Sequence, residues 1–206
     1  MLIVEGSIPE PVRLRSLEGM FEERKRVFVD LLGWNVPVVD GRFEVDQWDT
    51  ADARYLIIAD QKGRHFGSAR LLPTSRPHIL SRLFPQLCSG PIPVGPQIAE
   101  ITRFCLGRNQ SASERRVTRN RLVTALVRDA LERGIQIYTG VAEMAWLQQI
   151  LAFGWICRPL GVPQKFGSAL IGALAIEIDR DTPALLEANG IWIDEAEREP
   201  LVREAA

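Results

Sequence analysis

At 206 residues, with 46% hydrophobic and 25% charged residues, the chain has the composition of a single globular domain with a full core. A net charge of −1 excludes the basic surplus of a dedicated nucleic-acid binder. Three scattered cysteines (Cys88, Cys105, Cys157) and two histidines (His65, His78) exclude a disulfide framework and any metal-ligand spacing.

Leu2 to Glu5 reads as a short strand. The N-terminus is too short and too soon acidic for a signal peptide, and no apolar run reaches membrane-span length, so a cytoplasmic protein without stable membrane association is expected. After a turn-rich break, Leu14, Leu17, Phe21, Arg24, Phe28 and Leu31 recur at helical spacing. Arg24 therefore lies on the apolar stripe, where it must find an anion or snorkel to water. Gly33 stops this helix and Trp34 follows it. Asn35 to Arg54 reads as a loop carrying the acidic run Glu44-Val45-Asp46-Gln47-Trp48-Asp49, too long to be idle in a compact domain.

A hairpin comes next: a strand over Tyr55–Ala59, a turn at Asp60-Gln61-Lys62-Gly63, and a return strand over Arg64–Leu72. Alternation puts Phe66, Ser68, Arg70 and Leu72 on one face, so Arg70 is a second basic residue among apolar neighbours. His78–Phe84 reads as a short helix and Pro85–Gln97 as a proline-rich loop.

Ala99-Glu100-Ile101-Thr102-Arg103-Phe104-Cys105-Leu106 is the central strand. Glu100 and Arg103 share a face only if a bulge lies between them, and a bulge would also free N–H groups for an oxyanion. A loop follows, then a helix over about Glu114–Arg133 capped by Ser113 or Ser111, its start crowded with Arg115, Arg116, Arg119 and Arg121. Basic residues there oppose the helix dipole, so an acidic partner or a solvated face is required. Strands over Ile135–Val141, Trp155–Arg158 and Ser168–Ile178 alternate with helices over Ala142–Phe153 and Asp181–Asn189, and an acidic tail ends the chain. The order implies an α/β domain with a mixed sheet and flanking helices.

No G-x-G-x-x-G, G-x-S-x-G or H-E-x-x-H motif occurs. What remains is carboxylates, arginines and aromatics, a set suited to binding a charged small molecule and removing a proton from an amine.

Arg24 with Phe28, Trp34, Asp46 and Asp49, Arg70, Phe84, Glu100 and Arg103, in this order over about residues 20–106, resemble the signature of the acyl-homoserine-lactone synthases, the autoinducer synthases of quorum sensing. The resemblance implies an N-acetyltransferase-like fold with a bulged, splayed central strand. It implies one domain over residues 1–206, with residues 1–54 binding S-adenosylmethionine (SAM) and 55–206 forming the sheet core and acyl-binding part. It further implies an acyltransferase in which the SAM amine attacks an acyl thioester and the methionyl carboxylate then closes a lactone, expelling 5′-methylthioadenosine. SAM is a substrate; no tightly bound cofactor or metal is expected.

On that chemistry Glu100 is the expected base, directly or through one water. Asp46 and Asp49 hold the ammonium and the sulfonium neighbourhood. Arg24, Arg70 or Arg103 meets the substrate carboxylate, and Phe28 and Trp34 offer faces to adenine or sulfonium. Asp46 and Arg103 join Glu100 in the expected catalytic set. Phe84, Phe104 and Thr139 are expected along the acyl chain, with Thr139 matched to a family threonine associated with 3-oxo groups. The loop Arg108-Asn109-Gln110-Ser111-Ala112-Ser113 lacks the glycines that cradle a coenzyme A (CoA) pyrophosphate in acetyltransferases. Arg115, Arg116 and Arg119 instead suit an acidic acyl carrier protein. The competing readings are an amine N-acetyltransferase using acyl-CoA, and a non-catalytic relative that binds SAM or acyl groups.

Overall fold

The computed structural model describes residues 2–3 and 9–194. Strand β1 is Leu2–Ile3; the remainder of the strand expected to Glu5, and the acidic tail from residue 195, lie outside the described residues. Helix α1 spans Glu10–Arg24, with proline in its first turn, where the missing N–H costs nothing. The chain then widens into a π-helical segment, Lys25–Leu31, rather than continuing the expected α-helix. Trp34 N–H reaches back to the Phe28 carbonyl at 2.8 Å. Gly33, at φ 68°, makes the left-handed stop that a side chain would resist.

The segment expected as a plain loop holds a small hairpin, β2 Val38–Val39 with β3 Phe43–Glu44. Asp40 and Gly41 both have positive φ (52° and 64°), the geometry that Asp-Gly turns favour. The larger hairpin is β4 Arg54–Ala59 and β5 His65–Pro73. Gly63 in its turn has φ 82°, and a Cβ there would stand 2.9 Å from Arg15 Cβ and from the Val12 carbonyl, so glycine lets the turn press on α1. Helix α2 is Ile79–Leu83, followed by a 3-10 turn at Pro85–Leu87. The remaining elements are β6 Ile98–Leu106, α3 Ala112–Arg133, β7 Ile137–Glu143, α4 Met144–Leu151, β8 Ile156–Pro159, β9 Gln164–Phe166, β10 Ala169–Glu177 and α5 Thr182–Ala188. Ser111, not Ser113, caps α3: its Oγ accepts the Glu114 N–H at 3.3 Å while Glu114 accepts the Ser111 N–H at 2.7 Å.

Hydrogen-bonded neighbours follow the order β1-β4-β5-β6-β7-β10-β8, with β9 on β10. β6 and β7 are parallel, while the β1–β4, β7–β10, β8–β10 and β9–β10 pairs are antiparallel, so the sheet is mixed. Pairing of β6 with β7 runs from Ile98↔Ile137 to Ile101↔Gly140. Two residues later Arg103 has φ 50°, rare for a non-glycine residue, and this kink is the bulge in the central strand.

Two compact units divide the chain, and β5, β6 and α3 each begin in one and end in the other. The first holds the described residues up to Arg70, then Arg103–Ala125 and those from Ile193. Its core sets Met20 of α1 against Ile57 and Ala59 of β4, with Leu17, Phe21 and Tyr55 around them. The second holds Leu71–Thr102 and Leu126–Trp192. Its core joins Leu80, Leu87 and Ala173, packed by Phe84, Val141, Leu160, Phe166 and Ile171 among others. No helix among the described residues is long and apolar enough to cross a membrane.

Candidate active site

Arg24 reaches the end of α1 on its buried face, as its place on the apolar stripe requires, and finds two anions. Its Nε donates to Glu44 at 2.5 Å, and its two terminal nitrogens donate to the two Asp49 oxygens at 2.8 Å each. Arg70 on β5 donates to both Asp46 oxygens, at 2.6 and 3.0 Å, and lies 2.7 Å from Asp49. Arg103, turned by the kink in β6, donates to Glu44 at 2.9 Å and to Asp46 at 2.7 Å. The result is a closed ring within the first unit, Arg24–Asp49–Arg70–Asp46–Arg103–Glu44, in which each cation bridges two anions and each anion two cations.

The acidic segment is shaped to serve this ring. Asp49 accepts the Asp46 N–H, Asp46 accepts the Trp48 N–H at 2.8 Å, and the Tyr55 hydroxyl donates to Asp49 at 2.8 Å. Burial alone would raise the Asp49 pKa, but hydrogen bonds and charge from Arg24, then the charge of Arg70, hold it well below the usual carboxylate range. Burial likewise works against the Arg24 charge, and the hydrogen bonds that Arg24 donates to Asp49 and Glu44 more than offset it. Tyr55 is pushed above the ordinary phenol range by burial and by the Asp49 charge.

Aromatic faces complete the first unit's site. Phe28 and Trp34 stack with ring centres 4.8 Å apart and planes 18° apart. The Arg103 guanidinium sits over both, 5.4 Å from the Phe28 centre and 5.8 Å from that of Trp34. Of the sequence-derived candidates, Arg24, Phe28, Trp34, Asp46, Asp49, Arg70 and Arg103 thus gather in one place. Arg24 and Arg70 are fully buried and donate to Asp49, Glu44 and Asp46. Arg103 and Asp46 are the more open members, with side chains 10% and 7% exposed.

Glu44 was not among the sequence-derived site residues, yet it is completely buried and joins Arg24 to Arg103. Its spacing of two from Asp46 would have grouped the two, had the acidic run been read as extended chain.

Glu100, the expected base, lies among other partners. It is fully buried in the second unit, and its two oxygens accept the Ile79 and Leu80 N–H groups at 2.8 Å each. A carboxylate held this way caps a helix. The expected shared face with Arg103 carries different bonds: Arg103 turns to Glu44 and Asp46, and Glu100 to α2.

Phe84 packs edge-on against Phe166, centres 5.1 Å apart, on the second unit's core. Thr139 lies in the same unit, fully buried on β7, and its hydroxyl has no hydrogen-bond partner. Phe104 follows Arg103 in the first unit and is half-buried. At the start of α3, Arg116 is exposed and Arg115 and Arg119 are half-buried, with Arg119 donating to Asn120 at 2.8 Å. Among the described residues no group of three or more histidines, cysteines or carboxylates is arranged to hold a metal.

The family described as autoinducer synthase matches residues 12–185 of this sequence. An acyl-homoserine-lactone synthase of Ralstonia nicotianae is 33% identical, covering 90% of this chain and 91% of that protein. Among solved structures, a CoA-dependent acyl-homoserine lactone synthase, BjaI, with SAM and isopentyl-CoA superposes with a TM-score of 0.79 at 28% identity, covering 90% of this chain and 87% of that one. A Lactobacillus plantarum protein assigned as an N-acetyltransferase superposes with a TM-score of 0.56 at 18% identity, over 81% of this chain and 92% of that one, a likeness of fold alone.

Proposed function

The chain belongs to the autoinducer synthase family, and from that premise we propose that it joins SAM to an acyl thioester to make an N-acyl-homoserine lactone, releasing 5′-methylthioadenosine. The SAM ammonium gives one proton to solvent water and the free amine attacks the thioester carbonyl; the carbonyl–sulfur bond breaks, and the leaving thiolate takes up the second proton of the amine. The methionyl carboxylate then attacks the carbon bearing the sulfonium, and the carbon–sulfur electrons return to sulfur as methylthioadenosine departs. The first step needs a positioned ammonium and a stabilised oxyanion, the second a sulfonium held next to its own carboxylate.

The observation that carries this reading is the ring of three arginines and three carboxylates beside the Phe28–Trp34 stack. Asp46, the most open of the ring carboxylates, is assigned the ammonium, and Arg103 the substrate carboxylate. Phe28 and Trp34 are assigned the sulfonium and adenine, on the strength of the cation they already accept from Arg103. Arg24, Asp49, Glu44 and Arg70 hold these groups in register. Backbone N–H groups between Arg103 and Cys105 are assigned the oxyanion. Glu100 carries no proton-transfer step here.

Phe84 and Thr139 are assigned to the acyl chain, Thr139 because its buried hydroxyl is left for an oxygen at the third acyl carbon; Phe104 remains assigned by the family pattern. Acyl carrier protein is the proposed donor, on account of Arg115, Arg116 and Arg119. Acyl-CoA is the second reading, favoured by the CoA-dependent relative BjaI. The free thiols of Cys88, Cys105 and Cys157 fit the reducing cytoplasm.

Titration calorimetry with SAM tests the site. Asp46→Asn and Trp34→Ala should each weaken SAM binding by about 5- to 100-fold, as expected for a charge-assisted bond and a cation–π contact worth about 1–3 kcal/mol. Unchanged SAM affinity in both would remove the site from this ring.

A further inference from the structure

The geometry points to Glu100 as a positioning residue for acyl-donor selection, acting by clamping α2. This rests on the acyltransferase reading above and assigns Glu100 a task within it. Helix α2 has five residues, too few to hold itself. Its first turn is fixed from outside: Glu100 accepts the N–H of Ile79 and of Leu80, both 2.8 Å. Ser81 closes the same turn onto His78, accepting its N–H at 3.1 Å and donating to its carbonyl at 2.9 Å.

What the clamp holds is apolar. Leu80 of α2 is fully buried in the second unit's core, and Phe84, the residue that ends α2, packs on that core and on Phe166. Much of this cluster is only partly buried, including Val141, Phe166 and Ile171, so it has surface left to cover an aliphatic chain. Thr139, with its unpartnered hydroxyl, pairs in register with Glu100 across β6 and β7. The Glu100 side chain therefore decides where Leu80 and Phe84 stand, and with them the depth available to the acyl chain. A carboxylate sealed from solvent with both oxygens on backbone N–H groups fits this task; a group that must collect and release a proton each turnover does not.

Two variants separate the roles. Glu100→Gln weakens the clamp and removes the charge. Ile79→Pro removes one clamped N–H while leaving the carboxylate; proline is tolerated at the first helical position, and His78 before it is already extended at φ −139°, ψ 171°. Initial rates are measured with SAM and thioesters differing by two carbons, with methylthioadenosine as readout, alongside the pH profile of kcat. Both variants should change the kcat/KM ratio between the two chain lengths by about ten-fold, with the KM for SAM within about two-fold of wild type and the pH profile unmoved. Loss of rate that is uniform across chain lengths and alters the basic or acidic limb in Glu100→Gln, with Ile79→Pro unchanged in its ratio, would overturn the proposal and return Glu100 to proton transfer. If Glu100→Gln fails to fold, the ratio in Ile79→Pro decides alone. Wild-type protein that releases no methylthioadenosine with any donor would instead overturn the acyltransferase reading.

Discussion

Arg24 and Glu44 meet through a 2.5 Å hydrogen bond with both side chains sealed from water, at 1% and 0% exposure. A buried pair of this kind adds little net stability over a well-packed apolar pair, but removing one partner leaves the other charge uncompensated. Arg24→Met should therefore destabilise the protein by about 3–5 kcal/mol in urea unfolding, because it leaves buried Glu44 with Arg103, and buried Asp49 with Arg70, as their remaining ring cations. A loss below about 1 kcal/mol would mean the ring does not brace the fold.

His65 makes a second prediction. It is buried with neither ring nitrogen hydrogen-bonded, and burial lowers its pKa from 6.5 to about 3. In the unfolded chain it takes a proton near pH 6.5, while the folded chain refuses one until far lower. A lowered histidine pKa makes folding less favourable as pH falls, so stability is full above pH 6.5 and declines toward pH 3. One proton contributes about 1.4 kcal/mol per pH unit, or about 2 kcal/mol between pH 7 and 5. Asp49, also lowered, adds a further loss that begins only as pH falls through the ordinary carboxylate range near 4. Denaturant melts of wild type and His65→Leu across pH 5–7 check this; a decline of the same size in both would clear His65 of it.

The arginines at the start of α3 make a prediction about the donor. Arg116→Glu with Arg115→Glu should raise the KM for a carrier-borne thioester several-fold at low salt, with the difference shrinking as salt rises, and leave SAM binding alone. The same loss with acyl-CoA or a small thioester mimic would make the patch structural.

Thr139 makes one about the acyl group. Its hydroxyl is buried without a partner, and on the proposed placing of Thr139 along the acyl chain a donor with an oxygen at the third carbon would gain a bond that an unsubstituted chain does not. Thr139→Val should shift the kcat/KM ratio toward the unsubstituted chain by about 5- to 100-fold, the worth of about 1–3 kcal/mol. An unchanged ratio would leave Thr139 a core residue.

Much of this arrangement was legible in the chain. Arginines on apolar faces, Arg24 by helical spacing and Arg70 by strand alternation, called for an anion or a path to water, and the acidic run supplied the anions. Local chemistry also told the Gly33 stop and the turn at Gly63. Glu44 escaped because a two-residue strand carries no periodicity, and a carboxylate in an acidic run reads as solvated until its partners are known. β9 was missed for the same brevity. The hold of Glu100 on α2 was not legible because its partners are backbone N–H groups some twenty residues away, which have no signature in side-chain types.

The central claim is that one chain both acylates SAM and closes it to a lactone. The most direct measurement is mass spectrometry of a reaction holding the purified protein, SAM and a panel of acyl-carrier and acyl-CoA thioesters. The expected result is an N-acyl-homoserine lactone and 5′-methylthioadenosine in equal amounts, both reduced together in Asp46→Asn at limiting SAM. An N-acylated amine formed without methylthioadenosine, or SAM bound with no turnover of any donor, would contradict it.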